Sequence, residues 1–394
     1  MAMDSGWADL PQDILTLIAD GLTIDSHACV RAVCTNWRSL LRPAAPSLLA
    51  VLYDAEQREG GWRLCALCLS PKTSTVLKRR MATMLCLGSR CVGSGDGWLA
   101  IDDPILRLVN PLTDEEIPLY SFTRGRLSKV VIAPNPKQSN FTAAAITGRN
   151  RLIYTTAGNN SWADVQCPRL ADGDGLTDVM YHEKAAGKKV VYCLTRHGDV
   201  HIVHLPGDRG QQRPAVVEPL LSKNFDKGAA FAAPYNTISK HTSAKNLVFC
   251  NGNLYQIWRN TSCTVTSQLP SGGRCRVLAD QIFVLRYYPR RRPCWNPVKE
   301  LGGCSVFVGM NNAISLHVKG DNPGVRGNCV YWIGGQGRNM GMEFDMETGT
   351  STPCFPGIPL QRDICWYHLG DTRSSNSHNL VTPAYRLRKR TRRA

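Results

Sequence analysis

The chain carries 16 cysteines and nine histidines, residue types that ligate metals or act as nucleophiles, so their spacing is the first question. Cys65-Ala66-Leu67-Cys68 is the one C-x-x-C pair, and no second pair stands at the spacing of a zinc finger. It lies in an apolar alternation, Leu64 to Leu69, where cysteine behaves as a small buried hydrophobe. His182, His197, His201, His204 and His241 form no H-E-x-x-H relation. His201 and His204 stand three apart in a strand, on opposite faces, and make poor co-ligands. Gly335-Gln336-Gly337 lacks the Gly-Lys-Ser/Thr ending of a phosphate loop and also misses G-x-G-x-x-G, its next glycine being Gly341. No G-x-S-x-G elbow occurs. Asp102-Asp103 and Glu115-Glu116 are adjacent carboxylates in turns, the ordinary place for solvated charge. No catalytic residue, metal site or cofactor is assigned, and a non-catalytic protein is expected.

Recognition chemistry is better represented. Tyr287-Tyr288-Pro289-Arg290-Arg291-Arg292-Pro293-Cys294-Trp295 concentrates the residue types enriched at binding hot spots. Tyr287, Tyr288, Arg290, Arg291, Arg292 and Trp295 are therefore the candidate target-binding residues, with a loop packed by Trp295 as the plainer alternative. The net charge of +16 is partly terminal, since Arg386, Arg388, Lys389, Arg390, Arg392 and Arg393 crowd the end of the sequence. Arg388, Lys389, Arg390, Arg392 and Arg393 have the pattern of a nuclear-localisation segment, and a solvated, disordered tail is the alternative. No aromatic residue interleaves them, so base stacking and a nucleic-acid partner are poorly supported.

Composition sets the frame for these residues. A 394-residue chain with 43% hydrophobic residues, 34 glycines and 23 prolines is a turn-rich globular protein of one small and one large domain. No run of ~18 apolar residues exists, so no membrane partner is expected. The acidic N-terminus lacks the apolar core of a signal peptide. The cysteines are then expected as free thiols in the reducing cytosol, and the location as cytoplasmic, nuclear or both.

Residues 9–42 read as three short helices. Asp9 is a plausible N-cap with Gln12 three residues on, Pro11 suits a first turn, and Ile14, Leu17 and Ile18 recur on one helical face. Gly21 suits a helix end, Asp25 or Ser26 can cap the next helix, and Val30, Val33 and Trp37 continue the stripe to about Leu41. Some 35 residues cannot enclose their own core, and Leu10, Pro11, Ile14, Leu15, Ile18 and Leu22 are more apolar positions than they can hide. A docking surface for another protein's helices follows.

From Ser47 the period changes to short strands separated by Gly, Asn, Asp and Pro. Hairpin turns centre near 58, 102, 149, 198, 252, 295 and 337, close to the ~40–50 residues of a propeller blade. Asn251-Gly252 is the strongest of these turn signals. The expected fold is mainly β: a helical module at 1–46, a β-propeller of six to eight blades, best count seven, at 47–370, and a basic tail at 371–394. Such a disc presents two loop faces and the mouth of a central channel.

Several segments resemble a known family. Leu10-Pro11, Asp13, Ile14-Leu15 and the closing Val33-Cys34-Thr35-Asn36-Trp37-Arg38 resemble the F-box. Gly93-Ser94-Gly95-Asp96-Gly97-Trp98-Leu99 leading to Asn110-Pro111-Leu112-Thr113 is similar to a segment of the plant F-box proteins that carry a KIB-type, kelch-like propeller. So are Leu301 to Gly309, and Gly327 to Trp332 followed by Phe344 to Gly349. The glycines at 93, 95 and 97 permit positive φ in a bend beside Trp98. The resemblance implies a substrate-recruiting subunit of a Skp1–cullin–F-box ubiquitin ligase. It implies Leu10, Pro11, Ile14, Ile18, Val33, Cys34 and Trp37 as the contacts to a Skp1-like adaptor, a cullin reached through that adaptor, and an unidentified protein substrate on the propeller. Two rivals remain: a propeller that masks a partner such as a kinase without the ligase, and a nuclear protein that meets nucleic acid through its tail.

Overall fold

The computed structural model describes residues 6–54, 61–69, 75–76, 85, 89–119, 125–157, 159, 161–166, 170, 172–184, 188–206, 215–221, 230–318, 324–334, 340–356 and 362–370. The chain begins with a 3-10 turn, Gly6–Asp9, and three helices, α1 (Gln12–Asp20), α2 (Ile24–Ala32) and α3 (Thr35–Leu40). Asp9 does not cap α1. It ends the 3-10 turn, and Pro11 occupies the N-cap position without a side-chain bond. Gly21 closes α1 in the right-handed region, φ −94°. Thr23 rather than Asp25 or Ser26 occupies the N-cap position of α2, without a side-chain bond to the helix backbone; its hydroxyl is bonded to the Asp25 carboxylate and, at 3.0 Å, to Ser26 Oγ. The stripe Val30–Val33–Trp37 crosses a helix break, where Cys34 Sγ accepts the Trp37 N–H at 3.4 Å and starts α3.

The strands that follow form six blades among the described residues. Blade 2 is Arg90–Gly95, Trp98–Asp103, Ile105–Val109 and Glu116–Pro118. Blade 3 is Leu127–Ile132, Thr142–Thr147, Arg151–Thr156 and Ala163–Val165, and blade 4 is Leu176–Lys184, Lys188–Thr195, Val200–His204 and Val216–Pro219. Each is a four-stranded antiparallel meander. Blade 1 combines both ends of the propeller, with Ser47–Asp54, Gly61–Leu67 and Thr75–Val76 joined by Arg362–Tyr367. Blade 6 has five strands, in which Cys304–Phe307 runs parallel to Cys329–Gly334.

Six blades lie inside the expected range but are one fewer than the best count. The turn near residue 295 is internal to blade 5. That blade is Ala244–Cys250, Asn253–Arg259, Ile282–Tyr287 and Trp295–Pro297, and Tyr287 pairs with Trp295 within it. A separate hairpin, Val265–Gln268 with Arg274–Val277, is inserted after its second strand. The insertion separates two turns of the same blade, near residues 252 and 295, by about one repeat length, which turn counting reads as two blades. Asn251-Gly252 does form the expected turn with φ 47° and 70°, the two left-handed residues that a type I′ hairpin requires.

The middle of the ring is not an open channel. The segment Gly309 to Asn312 of blade 6 crosses it: Asn312 N donates to Ser94 O of blade 2 at 2.7 Å, and Asn312 Oδ1 accepts from Tyr181 N of blade 4 at 2.9 Å. Lys129 of blade 3 donates to Gly309 O at 2.9 Å and pairs with Asp178 of blade 4 at 2.5 Å. Asp178 in turn accepts Leu247 N of blade 5 at 2.8 Å, and Ser94 Oγ donates to Trp366 O of blade 1 at 2.7 Å. All six blades are thereby tied through inner strands. Between neighbouring blades the core is aliphatic and aromatic, as where Phe307, Tyr331 and Trp366 pack together. The helical module is anchored to this ring by Ile24 of α2, only 2% exposed among Leu49, Leu64, Leu99 and Tyr367.

Candidate functional site

α1 uses its apolar residues in two directions. Leu15 and Ala19 turn inward and, with Leu41, form the small core of the module, against which Leu10, Val30, Trp37 and Leu40 pack. Ile14, Leu17 and Ile18 turn outward at 41, 73 and 44% exposure, joined by Val33 at 62% and Trp7 at 67%. Only Ile105, Val216 and Leu278 are comparably exposed large hydrophobics among the described residues outside the module. An apolar surface concentrated in one 35-residue element is the signature of a docking face.

The seven sequence-picked adaptor residues divide accordingly. Pro11, Ile14, Ile18 and Val33 are exposed; Leu10, Cys34 and Trp37 are half-buried. Trp37 acts mainly as a clamp. Its indole Nε1 donates to Trp7 O at 2.8 Å, and next to it Asn36 Nδ2 donates to Ala8 O at 2.6 Å, so α3 holds the 3-10 turn. Trp37→Ala should lower stability by about 2–3 kcal/mol, less than a fully buried tryptophan because one edge is already wet. A denaturation midpoint equal to that of the parent would remove this role. Sequence reasoning passed over Leu17 and Trp7. Leu17 was visible in the 14-17-18 stripe, whereas Trp7 precedes any periodic segment.

The second candidate region lies on blade 5. Tyr288 N donates to Cys294 O at 2.7 Å and Arg291 N to Tyr288 O at 3.1 Å, making a tight turn of residues 288–294. The guanidinium carbons of Arg286 and Arg291 lie 4.9 and 4.2 Å from the Tyr288 ring centroid. Arg290, Arg291 and Arg292 are exposed. Trp295, by contrast, is 1% exposed and stacks with Phe231, so it is a core residue and cannot touch a partner. Tyr287 leans on it with centroids 5.1 Å apart. The five basic residues assigned to the tail signal lie outside the described residues.

Cys65 is buried and Cys68 touches Ser47 Oγ, so the C-x-x-C pair packs within blade 1. Among the described residues, no group of three or more His, Cys, Asp or Glu could hold a metal ion, and no helix is long and apolar enough to cross a membrane.

Three helices with an outward apolar face on a closed ring of sheets define a propeller protein with an F-box, the architecture of a substrate adaptor. The chain belongs to the KIB1-4 beta-propeller family, which it matches over residues 68–368, and it matches the F-box domain over residues 7–43. Two Arabidopsis thaliana proteins that carry the name F-box protein are each 25% identical to it, one over 121 residues and one over 120. The matches cover 29% and 30% of this chain and 33% and 30% of those proteins, so the chain spans about a third of their length. Among solved structures, the WD40 domain of SCAP from fission yeast aligns with a TM-score of 0.30 and 10% identity, over 62% of this chain and 64% of that one. F-box domains generally bind Skp1 adaptors, and F-box and propeller domains are typically non-catalytic interaction modules.

Proposed function

We propose that this protein is the substrate-recognition subunit of a Skp1–cullin–F-box ubiquitin ligase. The outward face of the helical module docks a Skp1-like adaptor, the adaptor carries the cullin, and the propeller holds the protein to be ubiquitinated. The observation that carries the reading is the concentration of Trp7, Ile14, Leu17, Ile18 and Val33 on the module's surface. The chain then contributes proximity rather than a nucleophile: target and conjugating enzyme are held in one assembly at high effective concentration. Ile24 supports this role, since a module seated in the propeller core fixes the direction in which the target faces the enzyme.

The test is capture of a purified Skp1-type adaptor by the full chain, beside an Ile18→Asp/Val33→Asp variant. Val33 is 62% and Ile18 44% exposed and neither belongs to the module's core, so the variant should melt close to the parent, while two carboxylates in an apolar contact should reduce capture about a hundredfold or more. A folded parent that captures no adaptor would end the ligase reading.

A further inference from the structure

The junction of blades 5 and 6 contains a cavity of 490 Å³ whose floor and walls include Asn251, Asn253, Tyr255, Arg286, Tyr288 and Leu301. Its parts are fixed by the fold. Tyr255 and Arg286 face each other across two paired strands, and Asn328 Oδ1 accepts Leu301 N at 2.9 Å and Gly303 N at 3.0 Å, holding the connection that forms the far wall. Arg286 is the unusual member. Its Nη2 donates to Asn253 Oδ1 at 2.7 Å, its Nε is buried without a hydrogen-bond partner, and no carboxylate among the described residues lies within ion-pair distance. A half-buried guanidinium with an unused donor lacks the anion that normally offsets its desolvation.

We propose that this cavity receives a carboxylate side chain, Glu or Asp, from an extended segment of a partner protein, and that Arg286 is its binding residue. A planar carboxylate matches the guanidinium fork. Tyr255 and Tyr288 supply flat apolar walls for the flanking chain, and Asn251 and Asn253 supply amides for its backbone. Burial pushes the Tyr255 phenol up to about 12, so it remains neutral beside an anion. The lining sets two cations, Arg286 and Lys299, against one carboxylate, Glu300, and this single net positive charge favours a singly charged carboxylate over a doubly charged phosphoryl group. The site thus deepens the adaptor reading by naming the chemistry of the target that the propeller holds.

The experiment uses the full chain and three fluorescein-labelled nonapeptides of alanine, glycine and leucine, with a central glutamate, glutamine or phosphoserine. Fluorescence polarisation should show saturable binding of the glutamate peptide, weaker by about tenfold or more for the glutamine peptide and for Arg286→Gln. Tyr288→Ala, a half-exposed position, should weaken it several-fold with an unchanged melting curve, which guards against misfolding of the first variant. Equal affinity for glutamate and glutamine, absence of binding up to about 1 mM, or an Arg286→Gln variant that binds as the parent would overturn the proposal. Tighter binding of phosphoserine than of glutamate would overturn the carboxylate assignment. Adaptor capture, measured on the same Arg286→Gln protein, should be unaffected. Peptide binding by a parent that captures no adaptor would sink the ligase reading and leave the cavity standing.

Discussion

Asp178→Ala should destabilise the folded chain by about 3–5 kcal/mol, because it removes one partner of a buried ion pair and leaves the other charge uncompensated. Asp178 is 0% and Lys129 5% exposed. Burial drives the Asp178 carboxyl upward, opposed by the Lys129 ammonium and by the backbone N–H groups of Leu247 and Val179. The carboxylate therefore joins three blades at once, accepting from blade 3 through Lys129 and from blade 5 through Leu247 N while belonging to blade 4. Lys129 also donates to Gly309 O, so the loss reaches the segment that crosses the ring. The diagnostic comparison is a Lys129→Met/Asp178→Leu double variant. Replacing both charges with apolar groups removes the desolvation cost together with the attraction, so the double variant should be less destabilised than Asp178→Ala. Chemical denaturation of both proteins checks this, and a single variant within ~1 kcal/mol of the parent would mean the pair does not hold the blades.

Gly93→Ala should be as damaging for a different reason. A Cβ at Gly93 would stand 2.0 Å from Val130 O, a backbone atom of the neighbouring blade. Neither strand can yield alone, since each is hydrogen-bonded into its own sheet, so blades 2 and 3 must separate locally. The expected cost is about 3 kcal/mol or more, at the upper end for overpacking. Gly148→Ala is the control. Its φ is 61° and nothing lies within 4 Å of the added carbon, so only backbone strain of about 1 kcal/mol applies. Similar midpoints for the two variants would show that the close approach does not matter.

Gly93 also shows where sequence reading reached its limit. The run Gly93-Ser94-Gly95-Asp96-Gly97 announces tight geometry beside Trp98, but only Asp96 and Gly97 take positive φ, at 51° and 80°. Gly93 is required by a strand that is remote in sequence, and local pattern cannot register that. The same distinction runs through the molecule. The three helices, their apolar stripe and the propeller class follow from periodicity because they rest on neighbours in sequence. Lys129 with Asp178, the crossing by Gly309 to Asn312, the seat of Ile24 and the closure by Arg362–Tyr367 join distant residues and leave no local trace. The candidate site divides likewise: Tyr288 and the arginines beside it stand out in the sequence, whereas Arg286 gains its character only when Asn253 and Leu301 come round to enclose it.

The pairing of Ser47–Asp54 with Arg362–Tyr367 also has a consequence for synthesis. The outer strands of blade 1 are the first of the propeller to leave the ribosome, yet the strand that completes their sheet is made about 290 residues later. At ordinary elongation rates that interval lasts roughly 15–60 s. Throughout it the inner edge of Ser47–Asp54 has unpaired amides and carbonyls beside Leu48, Leu49 and Val51, an aggregation-prone edge. A nascent chain of this kind calls for a holding chaperone, and a message truncated before codon 362 would yield an open ring with a permanently exposed edge.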